Sequence, residues 1–73
     1  MTDPNQIESE IAELAIVEKS HVNNDGSVYV GFEPETIPES FNTEMLSKGY
    51  AISKTHSTAG IGSGATYRNI TDF

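Results

Sequence analysis

Two short segments hold the side chains best able to do chemistry. Val17-Glu18-Lys19-Ser20-His21 returns later as Ile52-Ser53-Lys54-Thr55-His56, so both histidines and two of the four basic residues of this 73-residue chain sit in matching surroundings. On an extended strand alternate side chains share a face, which would put Lys19 and His21 with Val17, and Lys54 and His56 with Ile52. Were both segments in one sheet, Lys19, His21, Lys54 and His56 would form a cationic cluster. Such a cluster could hold an acidic side chain or a phosphate, and it would tighten below about pH 6.5 as imidazoles charge. The plain alternative is two solvated strand ends with a chance likeness.

Other chemistry is thinly represented. A catalytic zinc takes three protein ligands and a water, and two histidines with Glu18 or Asp25 show no His-x-x-x-His spacing, so neither metal nor cofactor is expected. The chain has no cysteine, which excludes disulfides and thiolate ligation. Its serines and histidines occur without a nucleophile motif, and no catalytic residue is assigned. Gly60, Gly62 and Gly64 invite a phosphate-loop reading, but no Gly-Lys-Ser/Thr closes the segment and extended sequence comes after it. A flexible hairpin tip is the better account.

Charge narrows the partner classes. The net charge is −7, and residues 1–40 hold nine of the eleven acidic residues against Lys19 alone. An acidic balance repels phosphate backbones, so nucleic acid is disfavoured without being excluded. No apolar run reaches the length of a membrane span or a signal-peptide core, so a soluble, cytoplasmic protein without membrane contact is expected.

The elements that must position these residues are legible. Residues 1–73 form one small domain with a limited core. Asp3, Pro4 and Gln6 are start signals for a helix, and Ile7, Ile11, Leu14 and Ala15 make its apolar stripe. Ile16 to Val22 reads as a strand running into Asn23-Asn24-Asp25-Gly26, which fits a type I turn with Gly26 left-handed. Ser27 to Phe32 alternates as a second strand, with Val28, Val30 and Phe32 on one face and Tyr29 on the other. Thr36 and Glu39 have capping-box spacing at the start of a second helix reaching about Lys48, with Gly49 as its stop. Tyr50 to His56 and Ala65 to Thr71 complete the strands, joined by the glycine-rich segment.

The predicted class is therefore α+β, with two helices packed on one face of a small, mostly antiparallel sheet in the order αββαββ. This resembles a permuted ferredoxin-like arrangement in topology alone, and the resemblance carries no activity. The alternative continues the first helix to about Lys19, leaving αβαββ with a C-terminal hairpin, winged-helix-like.

The expected function is binding without catalysis: a small protein–protein interaction module serving as an accessory, regulatory or assembly subunit, with another protein or a second copy as partner. The composition is of a kind common among virus- and phage-encoded accessory products. The contact residues expected are Tyr29, Lys54, His56, Tyr67, Arg68 and the terminal Phe73, since exposed tyrosine and arginine anchor interfaces. The alternatives are a nucleic-acid-associated regulator using Lys48, Lys54, Arg68 and the glycine-rich hairpin, or an acidic DNA mimic.

Overall fold

The computed structural model describes residues 3–34, 36–57 and 63–72. The elements are α1 (Pro4–Ile11), β1 (Val17–Val22), β2 (Val28–Phe32), α2 (Glu39–Ser47), β3 (Tyr50–Ser57) and β4 (Ser63–Asn69), with a 3₁₀ turn at Ile70–Asp72 after the last strand. The order is αββαββ, as the sequence predicts, and the winged-helix-like alternative is corrected because α1 stops well short of Lys19.

Local chemistry accounts for most boundaries. Asp3 caps α1 by accepting the Asn5 N–H at 3.1 Å, and Pro4 occupies the first turn, where its missing N–H costs nothing. The helix ends at Ile11, short of the Leu14 and Ala15 end of the apolar stripe. Tight turns replace it, in which the Leu14 N–H donates to the Ile11 carbonyl and the Val17 N–H to that of Leu14. Leu14 is left exposed.

The β1–β2 turn forms as expected. The Gly26 N–H donates to the Asn23 carbonyl at 3.0 Å, and Gly26 has φ +88°, where a β-carbon would be strained. The α2 start differs from expectation: no side chain caps it, Pro38 holds the cap position, and Glu39 is the first helical residue. Proline pre-sets the backbone there, so the Thr36–Glu39 capping box is not used. The fourth strand ends at Asn69 rather than Thr71, because Asn69 Oδ1 accepts from the Thr71 N–H and Oγ1 at 3.0 and 2.8 Å and bends the chain into the terminal turn.

The sheet order is β1-β2-β4-β3, antiparallel throughout. Both β2 and β3 run antiparallel to β4, so the β2–α2–β3 crossover joins parallel strands that flank it. Starting from β4 would give the order βαββαβ, the ferredoxin-like sequence of elements.

One face of the sheet is covered. Helix α1 packs on β1 and β2, and α2 packs on β3. Between the layers lie Ile7 and Ile11 of α1, Phe41 and Met45 of α2, and Val28, Val30, Phe32, Tyr50, Ala65 and Tyr67 of the sheet. Phe41 meets Phe32 and Tyr67 edge to face, with ring centroids 4.9 and 5.7 Å apart. The Ser20 hydroxyl donates to Glu8 Oε2 at 2.6 Å and ties β1 to α1.

Candidate functional site: the open face of the sheet

The register defines what the opposite face presents. One row across the four strands is Lys19, Gly31, Gly64, His56, and the next is His21, Tyr29, Thr66, Lys54. The two Lys-x-His segments therefore lie antiparallel on the two edge strands, each lysine sharing a row with the other segment's histidine. Arg68 stands one row further on, opposite Ala51. The cluster expected from Lys19, His21, Lys54 and His56 is a shared surface.

That surface depends on two irregularities. Unbroken strands would put Lys19 on the face of Val17 and Lys54 on the face of Ile52, as simple alternation predicts. Instead Val17 pairs with Phe32 and Lys19 with the adjacent Gly31, leaving Glu18 as an extra residue; Ser53 is likewise extra between Ile52 and Lys54. Each extra residue makes a β-bulge, which reverses the facing of the strand residues beyond it. Val17 and Ile52 pack against the core while both lysines turn to the open side. The bulges sit at matching positions in the two segments. A signal for the first was present: Val17 and Val22, five apart, would fall on opposite faces of a regular strand, yet both are apolar.

Tyr29 occupies the middle of this face. Its ring stacks on His21 with centroids 5.2 Å apart and a 28° interplanar angle, and meets His56 edge-on at 5.5 Å. It lies in space left by the paired glycines: a β-carbon on Gly64 would stand 2.7 Å from the Tyr29 hydroxyl, and one on Gly31 would stand 2.9 Å from Lys19 Cγ. His21 Nε2 is 2.9 Å from Asn23 Oδ1, and His56 Nε2 is 2.8 Å from Thr66 Oγ1. The imidazoles are thus held against the strands on either side of the phenol ring.

The electrostatics of the two layers differ. Glu8 and Glu10 belong to α1, Glu39 and Glu44 to α2, with Asp3 at the α1 cap and Glu13 just beyond its end. Lys48 belongs to that acidic layer, where its ammonium lies 2.9 Å from Glu10 and 3.8 Å from Glu44; the hydrogen bond to Glu10 raises its pKa. Lys19, Lys54 and Arg68 take part in no ion pair among the described residues. Glu18 lies in the bulge beside Lys19, Asp25 in the β1–β2 turn, and Glu33 just past the end of β2. Asp25 is held below the usual carboxylate range, first by the Ser27 hydroxyl and then by the Ser27 N–H, with a smaller contribution from the Arg68 charge.

The remaining expected contact residues are placed unequally. Tyr67 is buried on the core side, where its hydroxyl donates to Asn42 Oδ1 and burial pushes the phenol pKa up, so it is a packing residue. Lys48 is on the opposite layer from Lys54 and Arg68, and the three do not share a surface. Gly64 is buried within β4 rather than in a flexible tip. Gly60, Gly62 and Phe73 lie outside the described residues.

Two other features have chemical potential. The His56–Thr66 contact pairs an imidazole with a hydroxyl, as nucleophilic catalysis would, but no carboxylate fixes that imidazole's tautomer among the described residues. A groove of about 510 Å³ opens between the helices, with Ile11, Leu14 and Phe41 among its apolar lining and Glu10, Glu44 and Lys48 also in its walls. Its charged groups already satisfy one another.

Fold and site together define a small α+β domain with one helical, acidic layer and one open sheet face that carries Lys19, Lys54 and Arg68. No family model, curated protein or solved structure matches the chain. No described helix is long and apolar enough to cross a membrane.

Proposed function

We propose that this domain is a non-catalytic interaction module, an accessory or regulatory subunit that holds an anionic partner against the open face of its sheet. The observation that carries this reading is charge segregation. Lys19, Lys54 and Arg68 share that face with both histidines around Tyr29, while most placed carboxylates belong to the helical layer. The unfavourable net charge matters less than its size suggests. The smaller dimensions of the molecule are 23 and 22 Å, against a Debye length of about 8 Å at physiological ionic strength, so a partner on the open face is largely screened from carboxylates on the far side.

A protein partner presenting an acidic segment and a nucleic acid both meet this requirement. A second copy could also dock its acidic layer on this face, a head-to-tail contact that would build open chains of molecules. The test is retention on a polyanionic matrix such as heparin at low salt, compared between the wild type, a K19Q/K54Q/R68Q variant and K48Q. Retention lost in the triple variant and kept in K48Q supports the reading. No retention of the wild type, or equal loss in both variants, overturns it. Sedimentation at several concentrations identifies the head-to-tail alternative as salt-sensitive association.

A further inference from the structure

We infer that the anionic partner is a single-stranded nucleic acid, with bases stacking at Tyr29 and phosphates held by Lys19, Lys54 and Arg68. This rests on the binding reading above and adds the class of ligand. Three features of the face select it.

The first is what the face lacks. Protein–protein contacts concentrate affinity in apolar, aromatic-rich centres from which lysine is depleted. Here the rows across the centre are Lys19-Gly31-Gly64-His56 and His21-Tyr29-Thr66-Lys54, and no large aliphatic side chain occurs in them. Such a surface offers a protein partner little desolvation energy.

The second is the set of rings. His21, Tyr29 and His56 form a continuous aromatic series across the strands, with centroid separations of 5.2 and 5.5 Å. Unpaired bases stack on tyrosine, histidine and arginine planes, and a four-stranded sheet accommodates about two or three bases in this way. Bases of every kind have a π face, so this recognition tolerates sequence variation. An acidic peptide has no group that uses such a series.

The third is the placement of charge. Lys19 and Lys54 lie on opposite edge strands, in adjacent rows, with the rings between them. With neighbouring strands about 4.8 Å apart, the two edges stand roughly 14 Å from each other. A backbone crossing the sheet would meet cations on both margins and have its bases over the centre. A duplex presents its bases edge-on inside grooves, out of reach of a flat face. The bulges at Glu18 and Ser53 are what bring both lysines to this side, and bulges commonly re-aim side chains at functional sites.

The experiment is fluorescence anisotropy with labelled eight-nucleotide single strands of DNA and RNA, a duplex of the same sequence and labelled polyglutamate, repeated over a salt series. Tyr29→Leu and K19Q/K54Q are measured beside the wild type, with thermal melts to confirm folding. The expected result is tighter binding to single strands than to duplex or polyglutamate. Loss of stacking in Tyr29→Leu should weaken single-strand binding about tenfold, toward the lower end of the range for one base on one ring. Three phosphate contacts imply a log–log salt slope of about −2. Equal binding to single strands and polyglutamate, or unchanged affinity in a folded Tyr29→Leu, overturns the nucleic-acid inference and leaves the reading of an anion-binding face standing. Preference for the duplex also overturns it. Absence of binding to every probe at low salt overturns both readings together.

Discussion

His21 and His56, distant in the chain and on opposite edges of the sheet, both contact the ring of Tyr29. That relationship turns a sequence echo into a surface. It requires β2 and β4 to lie between the two histidine strands and Gly31 and Gly64 to leave room above them. It also needs a bulge in each histidine strand, which keeps valine or isoleucine on the core side while the lysine and histidine beyond it face out.

The bulge makes a direct prediction. Deleting Ser53 makes Ile52 and Lys54 direct neighbours, which simple alternation places on opposite faces, so β3 becomes regular with its register to β4 unchanged. Ile52 stays on the core side and Lys54 on the open side. The deletion should therefore cost less than about 1 kcal/mol in urea denaturation, whereas Ile52→Ala should cost about 1–2 kcal/mol, since full burial of such a side chain contributes about 1.5–3 kcal/mol. Ser53→Ala, which keeps the bulge and loses a 3.2 Å hydrogen bond to the Thr66 carbonyl, should change stability by well under about 1 kcal/mol. A deletion that destabilises as much as Ile52→Ala would show that Ser53 is more than an extra residue that re-aims the strand beyond it.

The paired glycines should respond unequally to alanine. At Gly64 the new methyl meets the Tyr29 hydroxyl at 2.7 Å and two ring carbons at 3.2 Å, so the whole ring must swing away from His56. At Gly31 it meets Lys19 Cγ at 2.9 Å and Cε at 3.2 Å, carbons of a flexible, exposed chain. Gly64→Ala should therefore destabilise by about 1–2 kcal/mol, in the range of overpacking, and weaken ligand binding. Gly31→Ala should be within about 0.5 kcal/mol of wild type. Denaturant midpoints of the two variants decide the order.

Much of the fold was readable because several local signals agreed. Asp3-Pro4, Asn23 to Gly26, the alternation through Val28, Val30 and Phe32, and Gly49 each marked an element or its end. The features that escaped had non-local causes. The placement of Tyr29 on the open face came from alternation, but the burial of Tyr67 did not: it shares a core row with Val28 and Ile52, set by strand pairing that sequence alone does not reveal. Lys48 looked like a companion to Lys54 and Arg68 until α2 placed it beside Glu10. Lys19 and Lys54 lie on one face with the histidines, but it is the face opposite Val17 and Ile52, because each bulge shifts alternation by one residue.

Asp25 should give the turn a pH signature. Hydrogen bonds from Ser27 lower its pKa in the folded protein, so the folded state favours the carboxylate more than the unfolded chain does. That stabilisation is present above the ordinary aspartate value of about 3.9 and is lost as pH falls through the lower folded value. Asp25→Asn should melt below wild type near pH 6, and the gap should close as the pH approaches 3. A gap independent of pH would show that the charge does not contribute.

Tyr67 predicts the opposite limb. Burial raises its phenol pKa, so ionisation is resisted in the folded state and accepted freely in the unfolded one. The resulting stabilisation is complete below the ordinary tyrosine value of about 10 and disappears as pH rises toward the folded value. Wild-type stability should fall progressively above pH 10. Tyr67→Phe keeps the ring contact with Phe41 but loses the hydrogen bond to Asn42, which should cost about 1 kcal/mol at neutral pH. The same variant should lose less stability than wild type between pH 10 and 11.5, because one buried phenol no longer ionises on unfolding. Urea titrations at pH 7, 10 and 11.5 measure both effects. Parallel alkaline losses in the two proteins would mean that Tyr67 ionisation does not drive the alkaline limb.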